Sequence, residues 1–132
     1  MGLRDLASNR SSGVAYYMKI SQHFSRVEFT CGCGCGYNTV DAELIEILEE
    51  VRRHFSSPIS VNSAARCHKH NKKVGGKPSS QHLLGKAADI AVKGVASSDV
   101  ADYAEILLRG RGGIGRYNTF THIDVRERNA RW

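Results

Sequence analysis

The sequence predicts an α+β fold, and three features carry the prediction. A single apolar helical stripe runs from Val40 to Phe55, and short strands alternate without a regular strand–helix–strand repeat. A hairpin pattern also turns around Asn118-Thr119 near the C-terminus. A chain of 132 residues has room for one hydrophobic core, so residues 1–132 are expected to form one small domain with helices packed on an antiparallel sheet.

Residues 1–37 read as an irregular lead-in, polar over residues 1–30: Arg10–Gly13 is a loop, and Cys31-Gly-Cys33-Gly-Cys35-Gly forces irregular backbone. Tyr16–Phe29 shows no assignable pattern. The first helix spans about Val40 to Phe55, because Val40, Leu44, Ile47, Leu48, Val51 and Phe55 fall on one face. Asn38 or Thr39 is positioned to cap it, Asp41 and Glu43 suit its positive end, and Ser56-Ser57-Pro58 stops it. Ile59–Val61 alternates like a strand. A polar, helix-compatible segment then runs to Val74 and breaks at Gly75-Gly76. Lys86–Val92 is the second strand. Ser97 or Ser98 caps another helix, with Val100, Ala104, Leu107 and Leu108 on one face, which ends before Gly110. Gly112–Tyr117 and Phe120–Val125 form the hairpin.

Composition narrows the function classes. At 41% apolar and 24% charged residues, the chain is too apolar for a disordered one. Its longest uninterrupted apolar run, Val14–Met18, is too short for a membrane span or the core of a secretory signal, so no stable membrane insertion is expected. Leu6 stands where a myristoylation signal needs Ser or Thr. Synthesis in the cytoplasm without a signal peptide is therefore expected. The net charge of +6 and pI near 9.4 favour a polyanionic partner. Nucleic acid is not expected: Arg109, Arg111, Arg116, Arg126, Arg128 and Arg131 are dispersed, and no nucleic-acid motif accompanies them.

Three of the four cysteines lie in the Cys31–Cys35 run and the fourth is Cys67. One intervening residue is tighter than the two to four of an ordinary zinc knuckle. A structural role for Cys31, Cys33, Cys35 and Cys67, as a disulfide or metal site closed by Cys67, and free thiols in a Gly-rich turn both stay open. A cytoplasmic start favours reduced thiols.

The six histidines are individually unremarkable, since a lone histidine is more often structural than a ligand; His54, in the last helical turn, suits the helix dipole. Two pairs are different. In Ser80-Gln-His82-Leu-Leu-Gly85-Lys-Ala-Ala-Asp89, a turn at Gly85 brings a loop histidine back towards a strand carboxylate. A carboxylate among Ala, Ile and Val is expensive to bury without a compensating cation. In Phe120-Thr-His122-Ile-Asp124-Val125, strand alternation puts His122 and Asp124 on the face opposite Ile123 and Val125. Two histidines and a carboxylate on a tetrahedral zinc leave one position for water, whose pKa the ion lowers to about 7. Asp124 is the candidate to carry that water's proton, with orientation of a zinc-bound histidine as its competing role.

Ser80-x-His82-x-x-Gly85-x-Ala87-x-Asp89, followed by His122-x-Asp124, resembles the LAS group of zinc peptidases. That group includes zinc D-alanyl-D-alanine carboxypeptidases, L-alanyl-D-glutamate endopeptidases of phage lysins and the hedgehog signalling domain. Asn62-Ser63-Ala64-Ala65-Arg66-Cys67 is similar to the group's Ser-Gly-Tyr-Arg segment, and the resemblance covers Val61 to Trp132. It implies a hedgehog/D-Ala-D-Ala-peptidase-like fold and one catalytic zinc held by His82, Asp89 and His122. It further implies that Arg66 binds a substrate carboxylate or polarises the scissile carbonyl, and that Ser80 supports the substrate or the ligands. Two positions depart from the pattern. Ala64-Ala65 replaces Gly-Tyr, and Thr119 stands where many relatives have an acid or base, which passes that role to Asp124.

The function so implied is hydrolysis of an amide bond in peptidoglycan stem peptides, foremost as an endolysin-like L-Ala-D-Glu endopeptidase. A D,D-carboxypeptidase or D,D-endopeptidase is the alternative. Such a protein is expected to be a monomer and to act in the periplasm and cell wall after release by a holin-type route. The competing class is a non-catalytic zinc-binding interaction module, since fold alone does not fix activity.

Overall fold

The structure, a computed structural model, describes residues 17–132, and the expected Arg10–Gly13 loop lies outside them. Helix α1 is Ala42–Phe55, strand β1 is Ile59–Ser63, and helix α2 is His68–Lys73. A 3-10 turn at Gln81–Leu84 leads into β2, Ala87–Val92. Helix α3 is Ser97–Leu108, followed by β3, Gly113–Arg116, β4, Thr121–Asp124, and β5, Ala130–Arg131. The strands form one sheet in the order β1-β2-β4-β3-β5, antiparallel except for β5, which pairs parallel to β3. The sheet is therefore mixed at one edge, where a purely antiparallel one was expected.

The predicted stripe drives the packing. Leu44, Leu48 and Val51 of α1 and Val100, Ala101, Ala104 and Leu108 of α3 bury against Ala88, Ile90, Val92, Ile114 and Ile123 of the sheet. Removing each large side chain from water contributes about 1.5–3 kcal/mol. Both helices cover one sheet face, so the alternate residues of β2 and β4 project from the other. That is how Asp89, His122 and Asp124 come to share a face.

Three local expectations change. Asp41, not Asn38 or Thr39, caps α1: its carboxylate accepts from the Glu43 N–H at 2.8 Å and the Leu44 N–H at 3.4 Å. Ala96 occupies the cap position of α3 without a side-chain bond, while Ser97 inside the helix donates to Tyr117 O at 2.7 Å and so ties the helix start to the hairpin. The lead-in is not wholly polar either. Phe24 and Phe29 are fully buried and meet edge-on with centroids 5.8 Å apart. Among the described residues, no helix is long and apolar enough to cross a membrane.

Candidate metal centre

The site follows from strand register. Asp89 of β2 lies directly opposite His122 of β4, and Ala87 opposite Asp124. Opposed residues have Cβ atoms about 4.5–5.5 Å apart, so Asp89 and His122 are in reach of each other by construction. His82 arrives from the 3-10 turn, which Ser80 caps by accepting from the His82 N–H at 3.1 Å. Arg66 follows β1. Its Nε donates to Ser63 Oγ at 3.1 Å and one terminal nitrogen donates to Asn71 Oδ1 at 3.1 Å.

His82 Nε2 is 3.2 Å from Asp89 Oδ1, and His122 Nδ1 is 2.9 Å from the same oxygen. All three atoms lie within 4.8 Å of one another, and all three residues are buried. Ligands 2.0–2.2 Å from a tetrahedral zinc stand about 3.3–3.6 Å apart, so the 3.2 Å and 2.9 Å separations need open only a few tenths of an ångström to take the ion.

The far side of each ring fixes its proton. His82 Nδ1 is 2.7 Å from the carbonyl oxygen of Ala64, which can only accept, so this nitrogen carries the hydrogen. His122 Nε2 donates in the same way to Asp124 Oδ2 at 2.7 Å. The lone pairs of His82 Nε2 and His122 Nδ1 are then left facing Asp89 Oδ1. Three acceptors converging in a buried place call for a cation, and two imidazoles with a carboxylate are a zinc set that keeps one position open.

Where protons rather than an ion occupy the two nitrogens that face it, burial pushes the Asp89 carboxyl up, but the bonds then made by His122 and His82 outweigh burial and hold the group below the usual carboxylate range. Burial lowers His122, yet the Asp124 and Asp89 carboxylates raise it above its ordinary value.

Asp124 stands behind the His122 ring and away from the cleft, a placement that favours the orienting role the sequence held open for it over that of proton carrier. It is completely buried and does not line the cleft. Its Oδ1 accepts from the Arg126 backbone N–H at 3.1 Å and from Nε at 2.9 Å; its Oδ2 accepts from the Arg126 terminal nitrogen and His122 Nε2, both at 2.7 Å. Both oxygens are occupied, and the position is that of an orienting group. Burial raises the Asp124 carboxyl, but these bonds hold it below the ordinary range. The room it needs comes from Gly113 across the strand pair, where a Cβ would stand 2.1 Å from Asp124 Oδ2.

The centre opens into a cleft of about 810 Å³. Arg66, Ser80, His82, Asp89 and His122 all line it, so five of the six predicted site residues meet there. Arg66 reaches Asp89 Oδ2 at 3.4 Å. Sequence reasoning missed the opposite wall. Trp132 packs against His122 with centroids 4.8 Å apart, receives Arg126 at 5.5 Å over its ring, and donates from Nε1 to Tyr117 Oη at 2.8 Å. A lone Trp at the end of an Arg-rich segment was the available signal. The four cysteines converge outside this cleft, with all Sγ atoms within 4.8 Å of one another.

A small α+β domain that points two imidazoles and a carboxylate from adjacent strands and a turn into an open cleft has the architecture of a zinc hydrolase. The sequence model described as Peptidase M15 matches residues 22–124, and the chain belongs to that family of zinc metallopeptidases. No curated protein matches it.

Proposed function

We propose that this zinc metallopeptidase cleaves an amide bond in peptidoglycan stem peptides, and that the bond is the one between L-alanine and D-glutamate. The convergence of His82 Nε2, Asp89 Oδ1 and His122 Nδ1 beside Arg66 carries the hydrolytic part of this reading. When bound, zinc supplies a Lewis acid and an acidified water. The chain's own residues do the rest. Ala64 O and Asp124 keep the His82 and His122 rings in the tautomers that present a lone pair to the ion. Arg66, braced by Ser63 and Asn71, presents a planar donor fork to a substrate carboxylate or to the oxygen that gains charge. Ser80 fixes the turn that carries His82.

The murein part rests on charge and on the likeness to phage lysins. Arg66, Lys77, Arg126 and Arg131 line the cleft, and Asp89 is its only carboxylate among the described residues. Such a field attracts the carboxylates of a D-glutamate-containing stem peptide. The proposal places action at the wall, after release from the cytoplasm by a holin-type route.

Digestion of purified sacculi followed by mass spectrometry of the muropeptides tests it. New L-alanine carboxyl termini and D-glutamate amino termini are expected from the wild type and not from His82→Ala. Released D-alanine would replace this specificity with a D,D-peptidase. No new termini at all would remove murein as the substrate.

A further inference from the structure

We propose that Cys31, Cys33, Cys35 and Cys67 hold a second zinc ion, tetrahedral and structural, apart from the His82–Asp89–His122 centre. The Cys31 and Cys33 sulfurs are 3.5 Å apart, Cys31 and Cys67 3.8 Å, and Cys33 and Cys67 3.7 Å. Four thiolates about 2.3 Å from one zinc stand about 3.8 Å from each other. The near-equal spacing is that of ligands around a point. Two disulfides would instead give two contacts near 2.05 Å and leave the pairs apart.

The backbone is arranged for thiolates. The Cys67 N–H points at Cys31 Sγ at 3.5 Å, the His70 N–H at Cys67 Sγ at 3.4 Å, and the Tyr37 N–H at Cys35 Sγ at 3.5 Å. Donors on sulfur stabilise the charged form, and four thiolates this close repel one another unless a cation sits among them. The tight Cys-Gly-Cys-Gly-Cys spacing, narrower than in a standard knuckle, works because the run curls on itself. Cys31 N–H donates to Tyr37 O at 2.7 Å, and Gly34 and Gly36 take positive φ of 84° and 91°. Soft sulfur ligands in a closed tetrahedral set select zinc over harder divalent ions.

The site is placed to brace the cleft. Cys67 caps α2 and directly follows Arg66, while Asn71 of α2 holds the Arg66 guanidinium. On the other side, Phe29 O accepts from the Ala65 N–H at 3.2 Å, next to the Ala64 carbonyl that orients His82. One ion thus joins the Cys31–Tyr37 loop to the segment that carries two of the cleft's fixed points.

Elemental analysis of protein purified under reducing conditions should find two zinc ions per chain in the wild type. Cys33→Ser combined with Cys35→Ser should leave one; both side chains are exposed, so packing is little disturbed. The His82→Ala variant should also keep one, and after cobalt substitution it should still show strong thiolate-to-cobalt absorption. That absorption must vanish in the double cysteine variant. In wild-type protein it is read without any cysteine substitution, so misfolding of the variant does not decide the matter. One zinc per chain with no thiolate-to-cobalt absorption overturns the proposal, as does a native mass four hydrogens short, which indicates two disulfides. Iron in place of zinc, visible as colour, overturns the choice of ion. None of these readouts depends on murein cleavage, so a failed substrate assignment would leave them unchanged.

Discussion

The carboxylate of Asp124 stands behind the imidazole of His122, with Oδ2 2.7 Å from Nε2 while Nδ1 on the other side of the ring faces Asp89. A group so placed acts on the metal through the histidine. Asp124→Asn keeps the volume and removes the charge, so zinc affinity should fall roughly 10–100-fold, the usual cost of losing such a partner. Chelator competition measures this directly. Excess zinc should restore part of the peptidase activity. Unchanged zinc affinity with lost activity would return Asp124 to the role of proton carrier.

Arg66 makes three directional contacts, to Ser63, Asn71 and Asp89, which a lysine ammonium cannot reproduce together. Arg66→Lys should lower kcat/KM on the proposed stem-peptide substrate by up to about 100–1,000-fold, the loss expected for one donor to a developing charge. Zinc content should stay at the wild-type level, because Arg66 is not a ligand. Loss of zinc in this variant would show that its contact to Asp89 is needed to hold the ion.

Much of this was legible in the sequence because it is local. The α1 stripe follows from periodicity, and the nearness of His82 to Asp89 follows from the turn at Gly85. Alternation in β4 correctly put His122 and Asp124 on one face, yet it cannot say whether the second carboxylate lies beside the ion or behind the ring. That depends on Arg126, which closes over both Asp124 oxygens, and on the room left by Gly113. The Asp41 cap was missed because Thr39 is drawn elsewhere: its carbonyl packs against Gly85, whose own carbonyl takes the Asp41 N–H at 2.9 Å. Strand β5, two residues long, has no period to read, so the Trp132 wall that it carries could not be placed.

Gly113 is a steric requirement of the centre. In Gly113→Ala the new methyl would fall 2.1 Å from Asp124 Oδ2, inside any possible contact, and the buried carboxylate has no free direction to move. The expected cost is about 1–3 kcal/mol of stability, as for other overpacked sites. Thermal or denaturant unfolding of Gly113→Ala in the His82→Ala background, which lacks the catalytic ion, against His82→Ala alone reads it separately from loss of that metal. Equal stability of the two would mean that Asp124 can relocate, and its hold on His122 would then be weak.

Glu49 gives the fold a defined acid sensitivity away from the metal. It is buried on α1, where Oε1 is 2.6 Å from His23 Nδ1 and 3.9 Å from Arg53, and Oε2 accepts from the His23 backbone N–H at 2.8 Å and from Ser21 Oγ. Burial raises its carboxyl, but the bonds from His23 and Ser21 prevail and lower it below its ordinary value. A carboxyl depressed in the folded state stabilises the protein above the ordinary value, about 4.3 for Glu, and loses that contribution as pH falls through the depressed one. Glu49→Gln replaces an acceptor with an amide that turns donors towards donors, so at pH 7 the wild type should be more stable by about 1–3 kcal/mol. That difference should shrink steadily below about pH 4 in paired unfolding curves. A constant gap across the acid range would mean that the charge on Glu49 is not what ties residues 21–23 to the helix, and that shape alone holds them there.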